Sequence, residues 1–285
     1  MKLDYFTIDS PWPANSGGRL RAGAIHEALR RLGVEVRLLV VGEELDAAMS
    51  QQIEAAGGHV WPRRAQGCVG KLQRYLRGVL QGRDPIAASL LDEERMDRFA
   101  RLVSERRPDA ILIGNPYLAP LLPMLERVAP MSPLIIDNHN VESVLHRRLA
   151  RSPGGLRVRL SAALVSRTSE RLEREYLPRA AQVWACSDAD AAQFRAAYRL
   201  SALHVIPNAV DTESFVPSGD GNSAEIVFIG CFWYPPNEHA ARSLIALSRR
   251  LEARGVEHRL SLVGRAPSAA MVRQADANPS VIVTG

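Results

Sequence analysis

The sequence predicts an α/β protein built on parallel sheets. Short, nearly continuous apolar runs alternate with stretches carrying a helical apolar stripe, as when parallel strands are joined by helical crossovers. Glycines or polar residues follow many of the runs, and the rhythm breaks once, around Pro207, before restarting.

The first run, Lys2–Ile8, reads as a strand and is followed by a loop holding Pro11, Pro13, Gly17 and Gly18. A helix is expected from Arg19, with Leu20, Ala24, Ala28 and Leu32 on one stripe and Gly33 as its stop. Val34–Val41 is apolar almost throughout, the pattern of a parallel strand covered on both faces. Further strands are expected at Ala110–Ile113, Leu134–Ile136, Val183–Cys186 and His204–Ile206, with helices at Glu93–Arg106 and Leu156–Leu177. Turn formers crowd the segment from Pro207 to Ser223. Beyond it come strands Glu225–Ile229, His258–Val263 and Val281–Val283, with helices Glu238–Arg254 and Ser268–Ala275 between them. The expected organisation is a complete domain over residues 1–212, a linker at 213–223 and an incomplete unit at 224–285. Three strands and two helices form a small core, and the chain stops on a strand and a glycine where another helix would follow, so truncation is expected.

With 46% hydrophobic and 24% charged residues, the chain fits an ordinary globular protein, and no window approaches the ~18 apolar residues of a membrane span. The N-terminus has no signal-peptide core. Cys68, Cys186 and Cys231 are odd in number and in no metal-ligand spacing, so neither disulfides nor a zinc site is expected and a cytoplasmic location is the default. The formal charge of +5 is local. Between Leu145 and Arg179, nine arginines face three glutamates, leaving +6 there and −1 in the rest. Such a one-sided basic surface suits anionic lipid, polyanionic glycan or nucleic acid, or is a solvated helix face.

Chemistry is expected at strand carboxyl ends, where helix N-termini present free N–H groups. Ser16-Gly17-Gly18-Arg19 opens the first helix. Its paired glycines admit a phosphate close to backbone and Arg19 or Arg21 adds charge, although a flexible turn would look the same. No Gly-x-Gly-x-x-Gly or Walker lysine motif is present. Asp137-Asn138-His139-Asn140-Val141-Glu142-Ser143 follows a strand with five Asp, Asn, His or Glu residues, a set able to bond sugar hydroxyls. Asn140 is alternatively a helix cap that leaves His139 free. Asp188-x-Asp190 matches a metal-holding pattern but reads better as the first turn of a helix capped by Ser187. In the second unit, Gly230-Cys231-Phe232-Trp233-Tyr234-Pro235-Pro236-Asn237 offers aromatics for stacking on a base or sugar, or for packing, with Asn237 as the cap.

These segments resemble the family 4 glycosyltransferases of GT-B type. The loop Ser10–Arg19 and the polar segment Asp137–Ser143 are similar to the family's own. So are Cys186–Asp190 with Val205-Ile206-Pro207-Asn208-Ala209-Val210-Asp211 (Ala209 replacing the usual glycine), Val227–Gly230 with Pro236-Asn237, and Leu262-Val263-Gly264-Arg265. The resemblance implies a complete N-terminal Rossmann-like acceptor domain and a partial C-terminal Rossmann-like donor domain facing it across a cleft. It implies a retaining transfer from a nucleotide-diphosphate sugar, the co-substrate, to a glycan or lipid-linked acceptor, without a resident cofactor or metal. It is strongest to members that build exopolysaccharide or lipopolysaccharide. His139 would be catalytic. Gly17, Gly18, Arg19, Asn138, Asn140, Glu142, Asn208, Gly230, Asn237 and Arg265 would bind donor or acceptor, and a hinge at Pro207–Ser223 would close the cleft. An anionic membrane surface is expected to meet residues 145–179 on the inner face of the membrane, and no nucleic acid partner is expected. The family's two-glutamate donor signature is expected beyond Gly285, and Cys231–His239 lacks the usual basic pair. Activity of this chain alone is therefore open. The alternatives are a non-catalytic glycan- or membrane-binding chain and a nucleotide-sugar epimerase of the same architecture.

Overall fold

The computed structural model describes residues 1–42, 47–62, 83–152, 155–213, 215–216 and 224–285. Cys68 and most of the expected linker, residues 214 and 217–223, lie outside them. The chain divides into two compact units, Met1–Val210 and Asp211–Gly285.

In the first unit, seven strands form one parallel sheet: β1 (Lys2–Thr7), β2 (Glu35–Val41), β3 (His59–Trp61), β4 (Ala110–Ile113), β5 (Leu134–Asn138), β6 (Gln182–Ala185) and β7 (Leu203–Val205). Their order is β3-β2-β1-β4-β5-β6-β7. β1 is central, with Tyr5 opposite Leu38 of β2 and Leu112 of β4. Alternate residues feed two cores, which is why the inner strands read as largely apolar runs, interrupted in β1 by Asp4 and in β2 by Arg37. One face carries Phe6, Leu39, Ile111, Ile113 and Ile136. The other carries Leu3, Tyr5, Leu38, Val40 and Leu112.

The helices are α1 (Gly17–Arg31), α2 (Ala47–Ala55), α3 (Pro85–Leu90), α4 (Glu93–Arg106), α5 (Leu122–Val128), α6 (Glu142–Arg151), α7 (Leu156–Tyr176) and α8 (Asp188–Ala197). A 3₁₀ segment, Pro116–Leu121, precedes α5. α1 lays Ala22 and Ile25 on the Tyr5 face, whereas α4 lays Phe99 and Val103 on the Phe6 face. Ser187 caps α8 as expected, accepting from Asp190 N at 3.1 Å, whereas α1 starts at Gly17, two residues before the expected Arg19, because Ser16 Oγ accepts from Arg19 N at 3.4 Å. The expected Asn140 cap is not formed. α6 starts from Val141 without a side-chain cap, and Asn140 Nδ2 instead donates to Glu142 Oε1 at 3.4 Å.

The second unit has a three-stranded parallel sheet of β8 (Glu225–Ile229), β9 (Arg259–Val263) and β10 (Val281–Thr284), ordered β10-β9-β8. With α9 (Pro235–Glu252) and α10 (Ala269–Asp276), it encloses Phe232, Ala241, Ile245, Leu260, Leu262 and Met271. α9 begins three residues before the expected Glu238, because Pro235 and Pro236 fit the first turn of a helix, where no N–H is required. Asn237 therefore lies inside the helix rather than capping it, and its Nδ2 donates to the Cys231 carbonyl at 3.1 Å.

Candidate functional site

The strand order reverses at β1, between β2 and β4, and in open parallel sheets the crevice at such a reversal receives ligands. The loops leaving β1 and β4 here carry Asp9 and Gly114, while β5 ends at Asp137 and Asn138, with His139 next. The N-terminus of α1 closes the same region, since a Cβ on Gly18 would collide with the Asp9 carboxylate. Gly17 meets nothing within 4 Å of a built Cβ and leaves open space above the helix end. A Cβ on Gly114 would sit 2.9 Å from Tyr5 Oη, so that glycine makes room for the buried ring.

An ion pair organises the site. Arg21, on the second turn of α1, donates from Nε to Asp137 Oδ2 at 2.9 Å and from Nη2 to Oδ1 at 2.5 Å. Its Nη1 donates to the Ile206 carbonyl at 2.8 Å and to Asn208 Oδ1 at 3.1 Å. His139 Nε2 lies 3.6 Å from Asp137 Oδ2, too long for a hydrogen bond. Burial pushes the imidazole below its ordinary pKa, while Asp137, Asp9 and the Gly114 backbone pull it up and Arg21 pushes it down. Asp9 is raised by burial, opposed by His139 and Arg19.

Three buried polar atoms have no hydrogen-bond partner among the described residues: Tyr5 Oη, Asn138 Oδ1 and His139 Nε2. Each such atom costs about 1–3 kcal/mol unless something satisfies it. Asn138 is otherwise fixed, its Nδ2 donating to the Trp184 carbonyl at 3.2 Å. All three atoms are shut off from solvent, so a ligand hydroxyl reaches them only if neighbouring side chains move, whereas the N–H groups at the start of α1 border open space at Gly17.

Glu142 belongs to a different cluster. It accepts from Tyr117 Oη at 3.0 Å, and that oxygen is 3.1 Å from His146 Nε2. Burial raises the Glu142 carboxyl to about 7. Nearby Glu173 accepts from Ser143 N at 3.1 Å and Tyr198 Oη at 2.8 Å, and Asp84 accepts from Thr168 Oγ1 at 2.8 Å. Asn140 is exposed, bonded to Glu142. Asp190 accepts from Ser187 Oγ at 2.6 Å and Cys186 Sγ at 3.3 Å, as a helix first turn should. Among the described residues no group of three or more His, Cys, Asp or Glu side chains could hold a metal ion.

In the second unit Gly230, Gly264 and Gly285 follow the three strands. Gly264, at φ 148°, has the Gly230 carbonyl where a Cβ would stand. Phe232 is core, whereas Trp233 is 70% exposed and Arg265 is exposed. Of the basic segment, Arg147 and Arg174 contact Glu170, at 3.4 and 2.9 Å, and Arg179 pairs with Glu126. At the start of α7, Leu156, Val158 and Leu160 are exposed alongside Arg157 and Arg159. No helix of the described residues is long and apolar enough to cross a membrane.

Residues 16–209 match the model of the glycosyl transferase 4-like domain. Among solved structures the whole chain is similar to TarM (7% identity, TM-score 0.64, 76% of that chain covered). It is also similar over its whole length to a glycosyltransferase from Rickettsia africae ESF-5 (10% identity, TM-score 0.56, 68% of that chain covered). The catalytic domain of starch synthase IV from Arabidopsis thaliana, bound to ADP and acarbose, matches 99% of the chain (11% identity, TM-score 0.50, 73% of that chain covered). No curated protein matches the sequence. The fold is the α/β fold of GT-B glycosyltransferases.

Proposed function

The chain belongs to the glycosyl transferase 4-like family, and on that premise we propose that it transfers a sugar from a nucleotide-diphosphate donor to a glycan or lipid-linked acceptor. Configuration at the anomeric carbon is retained, and the product enters cell-surface polysaccharide. The observation that carries this reading is the set of unsatisfied buried atoms within β1 and at the end of β5, with His139 Nε2 among them, beside the open end of α1. A neutral imidazole bonds a hydroxyl of the sugar being transferred. The anomeric carbon–oxygen bond to the diphosphate breaks, the acceptor oxygen takes its place, and the acceptor's proton leaves with the diphosphate. Backbone N–H groups at Gly17 and Gly18, aided by Arg19, meet the charge that develops on the leaving group. The second-unit residues Gly230, Asn237 and Arg265 are assigned to the donor.

The test is transfer of labelled sugar from a panel of nucleotide sugars to lipid-linked and glycan acceptors, with His139→Ala beside the parent chain. Loss of at least about 100-fold in kcat, at an unchanged melting temperature, is expected. Equal turnover in the variant would remove His139 from the reaction. Donor binding by calorimetry without transfer would favour an epimerase, and no donor binding would favour a glycan- or membrane-binding chain.

The arginines and exposed aliphatics at the start of α7 support a further reading, peripheral attachment of residues 145–179 to an anionic membrane at its inner face.

A further inference from the structure

Arg21, which the sequence offers as a charge for a phosphate, instead has a side chain 3% exposed, with its hydrogen bonds going to the candidate site and to the chain leaving β7. We propose that Arg21 is the positioning residue of this site, holding the Asp137 carboxylate beside His139 and fastening it to the segment Ile206–Asn208.

The geometry is specific. Two parallel N–H···O bonds fix the carboxylate plane. Oδ2 receives Arg21 Nε and is also the carboxylate oxygen that lies 3.6 Å from His139 Nε2. The remaining Nη1 bonds reach two groups on the segment after β7, so α1, β5 and that segment share one guanidinium. A lysine could not reproduce this, because it offers one charged point rather than a planar fork. Arg21 also compensates Asp137. Without it, a fully buried carboxylate would face the imidazole as its principal cationic partner. The other groups around His139 are Asp9 from the loop after β1, the Gly114 backbone after β4, and Cys186 after β6, whose Sγ donates to the His139 carbonyl at 2.9 Å. Tyr5 lies on the same side, close enough to feel Asp137, Arg21 and Asp9.

The inference rests on His139 being the reacting group, so the experiment has two readouts. The first, independent of turnover, is the protonation midpoint of His139 by ¹⁵N NMR in the full chain. In Arg21→Met the midpoint is expected to rise by about one pH unit, a tenfold gain in proton affinity, and in Arg21→Met/Asp137→Asn to return to within about half a unit of the parent. An unmoved midpoint in the single variant, or an equal rise in the double variant, overturns the proposal. If Arg21→Met does not fold, the double variant decides: a midpoint displaced by about a full unit overturns it. The second readout is transfer by Arg21→Lys, which keeps the charge. A fall of about tenfold or more in kcat with donor KM nearly unchanged is expected. Parent-like kcat overturns the positioning role. If the parent transfers nothing, the functional reading fails and the NMR arm still judges Arg21.

Discussion

Glu142→Gln should make the protein more stable at alkaline pH while leaving it nearly unchanged below pH 5. Glu142 is 7% exposed, and burial lifts its carboxyl from 4.5 to about 7. A folded-state pKa above the unfolded one means that the native protein holds the proton more tightly. This stabilisation is fully present below about pH 4.5 and is lost as pH rises through about 7. A rise of about 2.5 pH units at 1.36 kcal/mol each amounts to roughly 3 kcal/mol. Glutamine cannot ionise but still offers an oxygen to Tyr117 Oη, so the variant escapes the loss. Glu173 and Asp84 are also raised by burial, and His146 is lowered by it. All three are common to both proteins and largely cancel in the difference. Urea unfolding of the full chain between pH 5 and 8.5, reading the transition of the first unit, should show the variant gaining about 3 kcal/mol relative to the parent across that range. Parallel stability curves would show that the Glu142 carboxylate is not held in a desolvated pocket, and the argument would fail.

The two glycines at the start of α1 should separate in their effects. Gly18→Ala must displace the Asp9 carboxylate and should lower both stability and donor affinity, whereas an added Cβ at Gly17 meets nothing within 4 Å, so Gly17→Val should raise donor KM with little change in melting temperature. A loss of stability in Gly17→Val would contradict the open space described there. Gly264→Ala combines a φ of 148° with a collision against the Gly230 carbonyl, and should destabilise the second unit by more than about 1–3 kcal/mol, read by calorimetry. Vesicles rich in anionic lipid should retain the chain at low salt and release it as salt screens the arginines, and replacing Arg157 and Arg159 by glutamine should weaken retention. Retention that ignores salt and these substitutions would remove the basic segment as the membrane contact.

The sheet was legible wherever a strand is buried on both faces, because Leu38–Val41 and Ala110–Ile113 then read as unbroken apolar runs. β3 was not, being three residues long, and neither was the 3₁₀ segment Pro116–Leu121, whose two prolines imitate a loop. His139, Asn138 and Gly18 were legible from their place at strand and helix ends. Arg21 and Asp137 were not legible as partners, since 116 residues separate them and an arginine at a helix start suits a phosphate equally well. Glu142 lay within the recognised polar segment, but α6 starts at that residue and directs it to Tyr117 and His146. Sequence proximity could not reveal that turn. Asp9 left a trace only through Gly18, because a glycine that lets a carboxylate approach looks the same as one that admits a phosphate.

The contrast among buried polar groups argues for where function sits. Asp4 is fully buried yet bonded by Arg37 and Arg106. Asp84 accepts four hydrogen bonds, and Glu173 is bonded at both oxygens. The fold can therefore satisfy deeply buried carboxylates when structure alone is at stake. Within β1 and at the end of β5 it leaves a phenol, an amide oxygen and an imidazole nitrogen without partners among the described residues, each a cost of about 1–3 kcal/mol. Such a concentration, beside the Arg21–Asp137 ion pair, is expected where a ligand supplies the missing hydrogen bonds.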